Sequence, residues 1–410
     1  MTGYPTISPI LPLDVVELVA EILAAEEDIA SLKSFSLVCY AFREICKKHI
    51  FSSLRLYHDP TRSSPPYQPP KYLLVQGSTP LANCVREIVY FTEMNAVSKR
   101  NGGPSILKYF SRVKSFEFVL GDYSDINEWK RMAPSLKSSL YSFIRANTIS
   151  RLLLFRTENV PVSFFFQLPY LTDLELQYAT IAASAPARKS VTPLRLTRFR
   201  SHESDSKPLL HARSVNGTPI LDLTGLEYFK LGFGYSMEQG DDMDIVKGFL
   251  EPSTCLKTLI LSGFYRKLDF RGKLKSILTP VNLGTLETLE VYPMLESGDM
   301  DPYLNLAHEL EKIAGKNVLR TINLEVDVET HSKCTTDHQL WSQLDISLSR
   351  QGSFPSLRSV RILVTLSTLG YDYSDLVQKL EVVGRVCFPK LLAKKDMDFT
   401  FDVTINEIEL

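Results

Sequence analysis

The chain of 410 residues is poor in tryptophan, with two, and poor in cysteine, with six. The cysteines stand far apart, at Cys39, Cys46, Cys84, Cys255, Cys334 and Cys387. There is no C-x-x-C pair and no dense spacing, so a disulfide scaffold is excluded and reduced thiols in a cytoplasmic or nuclear protein are expected. A surplus of one charge is also missing. Lys and Arg number 46 against 47 Asp and Glu, a formal net charge of −1. No global basic field exists for a phosphate backbone, so no nucleic-acid partner is expected. No stretch approaches about 18 uncharged apolar residues, the length of a membrane span. The best candidate, 160–172, is broken by Pro161 and Pro169. The opening MTGYPTISPI has no basic region ahead of an apolar run, so no secretory signal is expected. Asn216-Gly217-Thr218 is then read as a glycine turn rather than a glycosylation site.

Signatures of chemistry are equally scarce. No G-x-S-x-G is present, and Gly232-Phe233-Gly234 lacks the third glycine and the Lys-Ser of a phosphate cradle. His331, Cys334 and His338, with Asp337, are the one cluster of metal-ligand types, but their spacing does not match a zinc module and a polar loop is expected. Asp241, Asp242 and Asp244 lack the glutamate that closes a calcium loop, and read as a turn capping a helix. No catalytic residue, metal or cofactor is assigned.

What is present is apolar and patterned. Hydrophobic residues make up 44 %, with 22 Phe and 18 Tyr. From 11 to 56 the spacing is helical. Val15, Val16, Val19, Ile22 and Leu23 form a broad stripe, Asp28 is placed to cap a second helix carrying Ile29, Leu32 and Phe35, and a third helix spans Phe42, Ile45, Cys46 and Ile50. Lys47, Lys48 and His49 sit where a helix C-terminus favours cations. This segment holds more apolar residues than so small a core can hide, and the surplus argues for a covering partner.

The same segment resembles an F-box motif of the fungal type. The resemblance is carried by Leu11-Pro12, Ile22-Leu23, Asp28 with Leu32, Ser36-Leu37-Val38-Cys39, Phe42-Arg43 and the exit Ile50-Phe51-Ser52-Ser53-Leu54. Phe42 stands where the family often has Trp, and the Asp28–Leu32 spacing is looser than the tightest pattern. The motif covers about a tenth of the chain. The resemblance implies a Skp-family adaptor as partner and, through it, a cullin–RING ubiquitin ligase. The adaptor surface it implies comprises Leu11, Pro12, Val15, Leu23, Leu32, Val38 and Cys39, whereas Ile22 and Phe35 are read as internal core.

Residues 59–70 read DPTRSSPPYQPP, which excludes helix and central strand and predicts an extended loop. Beyond it a pattern recurs: apolar, two variable residues, apolar, one variable, apolar. Copies lie at Val85/Ile88/Tyr90, Val113/Phe116/Phe118, Ile149/Leu152/Leu154, Leu171/Leu174/Leu176 and, weakly, Leu196/Phe199. Others follow at Leu226/Phe229/Leu231, Leu256/Leu259/Leu261, Leu286/Leu289/Val291, Leu319/Ile322/Leu324 and Leu357/Val360/Ile362. The pattern resembles the strand segment of leucine-rich repeats, with 245–250 and 304–314 as returning helices. The regular family has Asn or Cys three residues after the last leucine of the triplet; here Ala179, Gly234, Phe264, Met294, Asp327 and Thr365 stand there. The array is therefore expected to be irregular.

The expected fold is α/β: a flexible N-terminus (1–10), a three-helix F-box-like motif (11–56), a proline-rich linker (57–72) and a leucine-rich-repeat-like solenoid with a parallel sheet and outer helices (73–410). The expected function is non-catalytic: the substrate-recognition subunit of a Skp–cullin–F-box ubiquitin ligase. An unidentified protein target would meet the variable strand positions, among them Asp173, Glu175, Tyr228, Lys230, Ile260, Glu290, Tyr292, Asn323 and Arg361. Alternatives are a repeat scaffold without a ligase role and, further off, an α/β enzyme with a deep polar pocket.

Overall fold

The computed structural model describes residues 12–58, 81–92, 105–120, 127–183, 192–233, 241–263, 269–295, 301–329, 332, 334–368 and 372–407. The N-terminal ten residues, Leu11, nearly all of the proline-rich segment, His331 and Gly234 lie outside the described residues. Two compact units are present: 1–157 with 167–170, and 158–166 with 171–410. Among the described residues no helix is long and apolar enough to cross a membrane.

The first unit opens with three helices, α1 (Leu13–Ala25), α2 (Ile29–Ser36) and α3 (Tyr40–Ile50). Pro12 precedes α1, and its carbonyl accepts from the N–H groups of Val15 and Val16. Asp28 caps α2 as its position suggests, accepting from Ser31 N–H at 2.9 Å. Hydrogen bonding from the Ser31 side chain, and then from its backbone N–H, holds the Asp28 carboxyl below its ordinary range. Ala20, Leu32 and Cys46 form the centre of the cluster, with Leu23, Ala24, Phe35, Ile45 and Ile50 against them. Phe35 and Phe42 meet at 4.6 Å between ring centroids.

The exit of the helical motif is already sheet. Strand β1 (Ser53–His58) runs parallel to β2 (Glu87–Thr92), followed in order by β3 (Ser115–Leu120) and β4 (Arg151–Phe155). Helix α4 (Pro134–Ala146) returns between the last two, with Pro134 at its first turn where no N–H is needed.

The second unit continues the same construction. Its parallel strands are β5 (Asp173–Gln177), β6 (Arg198–His202), β7 (Tyr228–Phe233), β8 (Thr258–Gly263), β9 (Thr288–Leu295), β10 (Thr321–Val328), β11 (Ser359–Thr368) and β12 (Asp398–Glu407), each paired with the next in the chain. Helices α5 (Asp241–Leu250), α6 (Leu306–Lys312), α7 (His338–Ser349) and α8 (Ser374–Val386) return between strands. The register is unshifted: Arg198, Tyr228, Thr258 and Thr288 lie side by side at steps of thirty residues.

The apolar triplets explain this order. In each, the second and third residues sit in the strand with one residue between them, so both point to one face. The leading residue lies just before the strand and is buried with them: Leu226, Phe229 and Leu231 are all buried, as are Leu256, Leu259 and Leu261. The helices cover this face. Phe249 of α5 stacks on Phe199 at 4.2 Å, and Trp341 of α7 meets Phe401 of β12 edge-on at 5.5 Å. The opposite face carries the intervening polar residues, so burial alternates along β10. Helix α8 approaches β12 so closely that a Cβ on Gly384 would lie 2.6 Å from the Phe401 ring.

Buried asparagines join helices to strands. The Asn147 amide donates to the carbonyls of Phe110 and Phe143 and accepts from Val113 N–H. Asn317 bonds the carbonyls of Ile313 and Ser353, and Asn282 those of Leu250 and Ser253. Asn147 and Asn317 each stand two residues before a triplet, so the turn chemistry expected after the strands is supplied before them. Replacing Asn147 with Ala strands buried donors and acceptors, and is expected to destabilise the first unit by about 1–3 kcal/mol. Urea unfolding of the variant should show the lower midpoint, with Asn317→Ala acting similarly on the second unit.

Candidate functional site

Two surfaces remain unsatisfied after the core is built, one in each unit.

The first belongs to the helix cluster. Helix α1 carries two apolar stripes. Val16, Ala20, Leu23 and Ala24 turn inward, whereas Val15, Leu18, Val19 and Ile22 are exposed. These outer residues sit three or four apart and therefore share one side of the helix. A second exposed group occupies the corner between α2 and α3: Leu37 at 85 % exposure, Val38 at 65 %, Cys39, and Tyr40, whose ring lies under the Arg43 guanidinium at 5.0 Å. Of the residues the resemblance assigned to an adaptor, Pro12, Val15, Val38 and Cys39 are exposed. Leu23 is half-buried against the helix core, and Leu32, at 0 % exposure, is its centre. Leu11 lies outside the described residues. Ile22, read as core, is 48 % exposed, because the inward positions of α1 are already filled by its neighbours one step round the helix. Leu13, Leu18, Val19, Leu37 and Tyr40 were not assigned to the adaptor surface, although Val19 and Leu37 belong to the stripe and the motif. Their signal was the excess of apolar residues, which does not say which of two stripes faces out.

The second surface is the polar face of the sheet in the second unit. Its register sets side chains in rows. Asp173, Arg198, Tyr228 and Thr258 form one, and Glu175, Arg200, Lys230, Ile260, Glu290, Asn323 and Arg361 form the next. Arg200 bridges two carboxylates, donating to both oxygens of Asp173 at 2.9 and 3.0 Å and pairing with Glu175 at 3.1 Å. The Arg198 guanidinium lies over the Tyr228 ring at 4.6 Å. Tyr292 Oη donates to Glu290 Oε2, and Asn323 Nδ2 donates to Glu290 Oε1 at 3.2 Å.

The residues expected to face a target are thus brought onto one face, with two qualifications. Ile260 is only 6 % exposed, overhung by the longer side chains beside it in the row, and Glu175 is nearly buried beneath Arg200. Arg200 and His202 were missed. Leu196/Phe199 is the weakest copy of the pattern, so the alignment of Arg200 with Lys230 and of His202 with Gly232 emerges only from the pairing of β6 with β7.

His202 is the most perturbed histidine of this face. Its ring nitrogen Nε2 lies 3.2 Å from the Tyr178 hydroxyl, and its other side rests on Gly232, where a Cβ would come within 2.7 Å of Nδ1. Burial lowers its pKa below 6.5, and Lys230 adds to this against the opposing pull of Glu175. Glu203 approaches it at 3.6 Å, its own carboxyl raised by burial. Elsewhere, Cys334 is buried and its thiol pushed up to about 12 by desolvation and by Asp301, so it stays protonated at neutral pH. Asp337 caps α7 through Gln339 N–H at 2.8 Å. Among the described residues no three His, Cys, Asp or Glu side chains converge as ligands for a metal.

No protein-family model matches the chain, and no curated protein matches it.

The His202 environment sets a pH dependence. A histidine with a depressed folded pKa binds fewer protons than the unfolded chain. The stability it confers is complete above about pH 6.5 and falls as pH drops through 6.5 towards the folded value. Wild type should therefore lose more stability between pH 7 and pH 5 than His202→Gln does, by thermal unfolding across that window. Parallel curves for the two proteins would show that His202 titrates normally.

Proposed function

We propose that the chain is the substrate-recognition subunit of a Skp–cullin–F-box ubiquitin ligase, of the fungal F-box type, and that it performs no chemistry itself. The observation that carries this reading is the outward apolar stripe of α1 together with the exposed corner 37–40. A three-helix cluster with its own filled core still displays Val15, Leu18, Val19, Ile22, Leu37 and Val38. Covering a large aliphatic side chain gains about 1.5–3 kcal/mol. A groove on a Skp-family adaptor would supply that cover.

In this reading the second unit is a leucine-rich-repeat-like solenoid, and its polar face holds the protein target. The in-order parallel strands, the thirty-residue register and the returning helices support the repeat reading. The mixed charged and aromatic face suits a protein partner. Function follows from effective concentration: holding ligase and target on one chain makes ubiquitin transfer effectively intramolecular. With no membrane-crossing helix among the described residues, the cytoplasm or nucleus is the proposed compartment.

The test is co-expression with a Skp-family adaptor followed by size-exclusion chromatography. The chain is expected to co-elute with the adaptor. The double variant Leu37→Asp, Val38→Asp is expected to elute alone with an unchanged circular dichroism spectrum, because both side chains are already exposed. Failure of the wild-type chain to co-elute where a known F-box protein does so would overturn the ligase reading and favour a repeat scaffold.

A further inference from the structure

The polar face of the second unit is not electrically uniform. Two cavities open on it, and Lys230 lines both. In the first, of about 330 Å³, the Arg200 guanidinium is already engaged by Asp173 and Glu175. The second, of about 350 Å³, lies over β8, β9 and β10 and differs in kind. Its walls include Tyr292, Met294, Glu325 and Asp327. Glu325 makes no hydrogen bond or ion pair among the described residues. Asp327 uses Oδ1 to accept from the Ser367 hydroxyl at 2.8 Å, which leaves Oδ2 open. Glu290 lies behind the Tyr292 hydroxyl and adds a third carboxylate. Three carboxylates thus stand against one ammonium, that of Lys230, which has no carboxylate partner of its own among the described residues. Burial above all, then the hydrogen bond to Glu290 and the charges of Glu290 and Glu325, raise the Tyr292 pKa.

We propose that this cavity receives an arginine side chain of the protein target. Its volume falls in the range of small-ligand sites, about 300–1,000 Å³. A guanidinium offers planar paired donors that match a carboxylate, here Glu325, with a further donor for Asp327. Met294 and the Tyr292 ring give apolar wall for the aliphatic stem. A half-buried carboxylate without a cation is costly to hold, and an incoming guanidinium removes that cost.

The inference rests on the reading of this face as the target-binding surface, but its test is separate from adaptor binding. The full chain alone is titrated by calorimetry at low salt with blocked pentapeptides Gly-Ser-X-Ser-Gly, where X is Arg, Gln or Glu. The arginine peptide is expected to bind at least about tenfold tighter than the other two, a difference of about 1.4 kcal/mol, and to weaken as salt is raised. Glu325→Gln should remove the discrimination. Lys230→Met should tighten the arginine peptide severalfold, an effect that a merely structural role for these residues would not produce. Equal affinity for the three peptides, including no binding by any, overturns the proposal, as does discrimination that survives Glu325→Gln with Asp327→Asn. Loss of adaptor co-elution in the wild-type chain bears on the ligase reading alone.

Discussion

One backbone contact recurs at the start of strand after strand. At most strands the carbonyl of the residue that follows the leading apolar position accepts two N–H groups from the next segment of chain, whereas Arg358 O accepts only Asp398 N–H. Glu227 O takes Lys257 N–H and Thr258 N–H at 2.8 and 3.0 Å, and Lys257 O takes Glu287 and Thr288 N–H at 2.9 Å each. Ser52 O does the same for Arg86 and Glu87 in the first unit, and Arg320 O for Arg358 and Ser359 in the second. Such a double acceptor fixes register to the residue. A slip by one would turn every triplet outward and drive the charged row inward. The rows of the polar face, and hence the cavity at Tyr292 and Glu325, depend on this contact recurring from Thr197 to Arg320.

The constraint explains what is left open. A parallel strand with one apolar face cannot bury it alone, and the returning helices cover that side only. The other side is condemned to solvent or to a partner, and its chemistry is free to vary. In the helix cluster the same logic works on a smaller scale. The core of Ala20, Leu32 and Cys46 is complete, so apolar residues on the outer stripe of α1 do nothing for its folding. Exposed apolar residues grouped on one side of a helix are the kind of surface a partner covers.

Most of the architecture was legible in residue order because the triplet couples strand period to repeat period. The copies at 226, 256 and 286 indicate both where strands lie and which of their faces is buried, and the structure buries all nine residues. Two end strands were missed for opposite reasons. Leu54 and Leu56 were absorbed into the helical motif they follow, yet Ser53–His58 pairs with Glu87–Thr92. The alternation of Phe399, Phe401, Val403 and Ile405 was strict but carried no triplet, and its strand is recognisable only once β11 lies beside it. The candidate sites were legible as lists, not as places: Glu325 was one variable strand position and Asp327 one departure from the repeat pattern until the register set Met294 beside Asp327 and one cavity gathered them with Tyr292.

Composition and pattern by themselves determined an α/β chain with a helical start and parallel strands in chain order, because hydrophobic period and the cost of burying polar backbone act locally. Which stripe of α1 faces out, which carboxylates find a cation and which do not, and where asparagine closes a turn were decided only by the tertiary structure. Those outcomes depend on distances between residues far apart in the chain, 27 positions for Arg200 and Asp173 and 36 for Asn317 and Ser353. A local pattern specifies that such neighbours exist but not what they are.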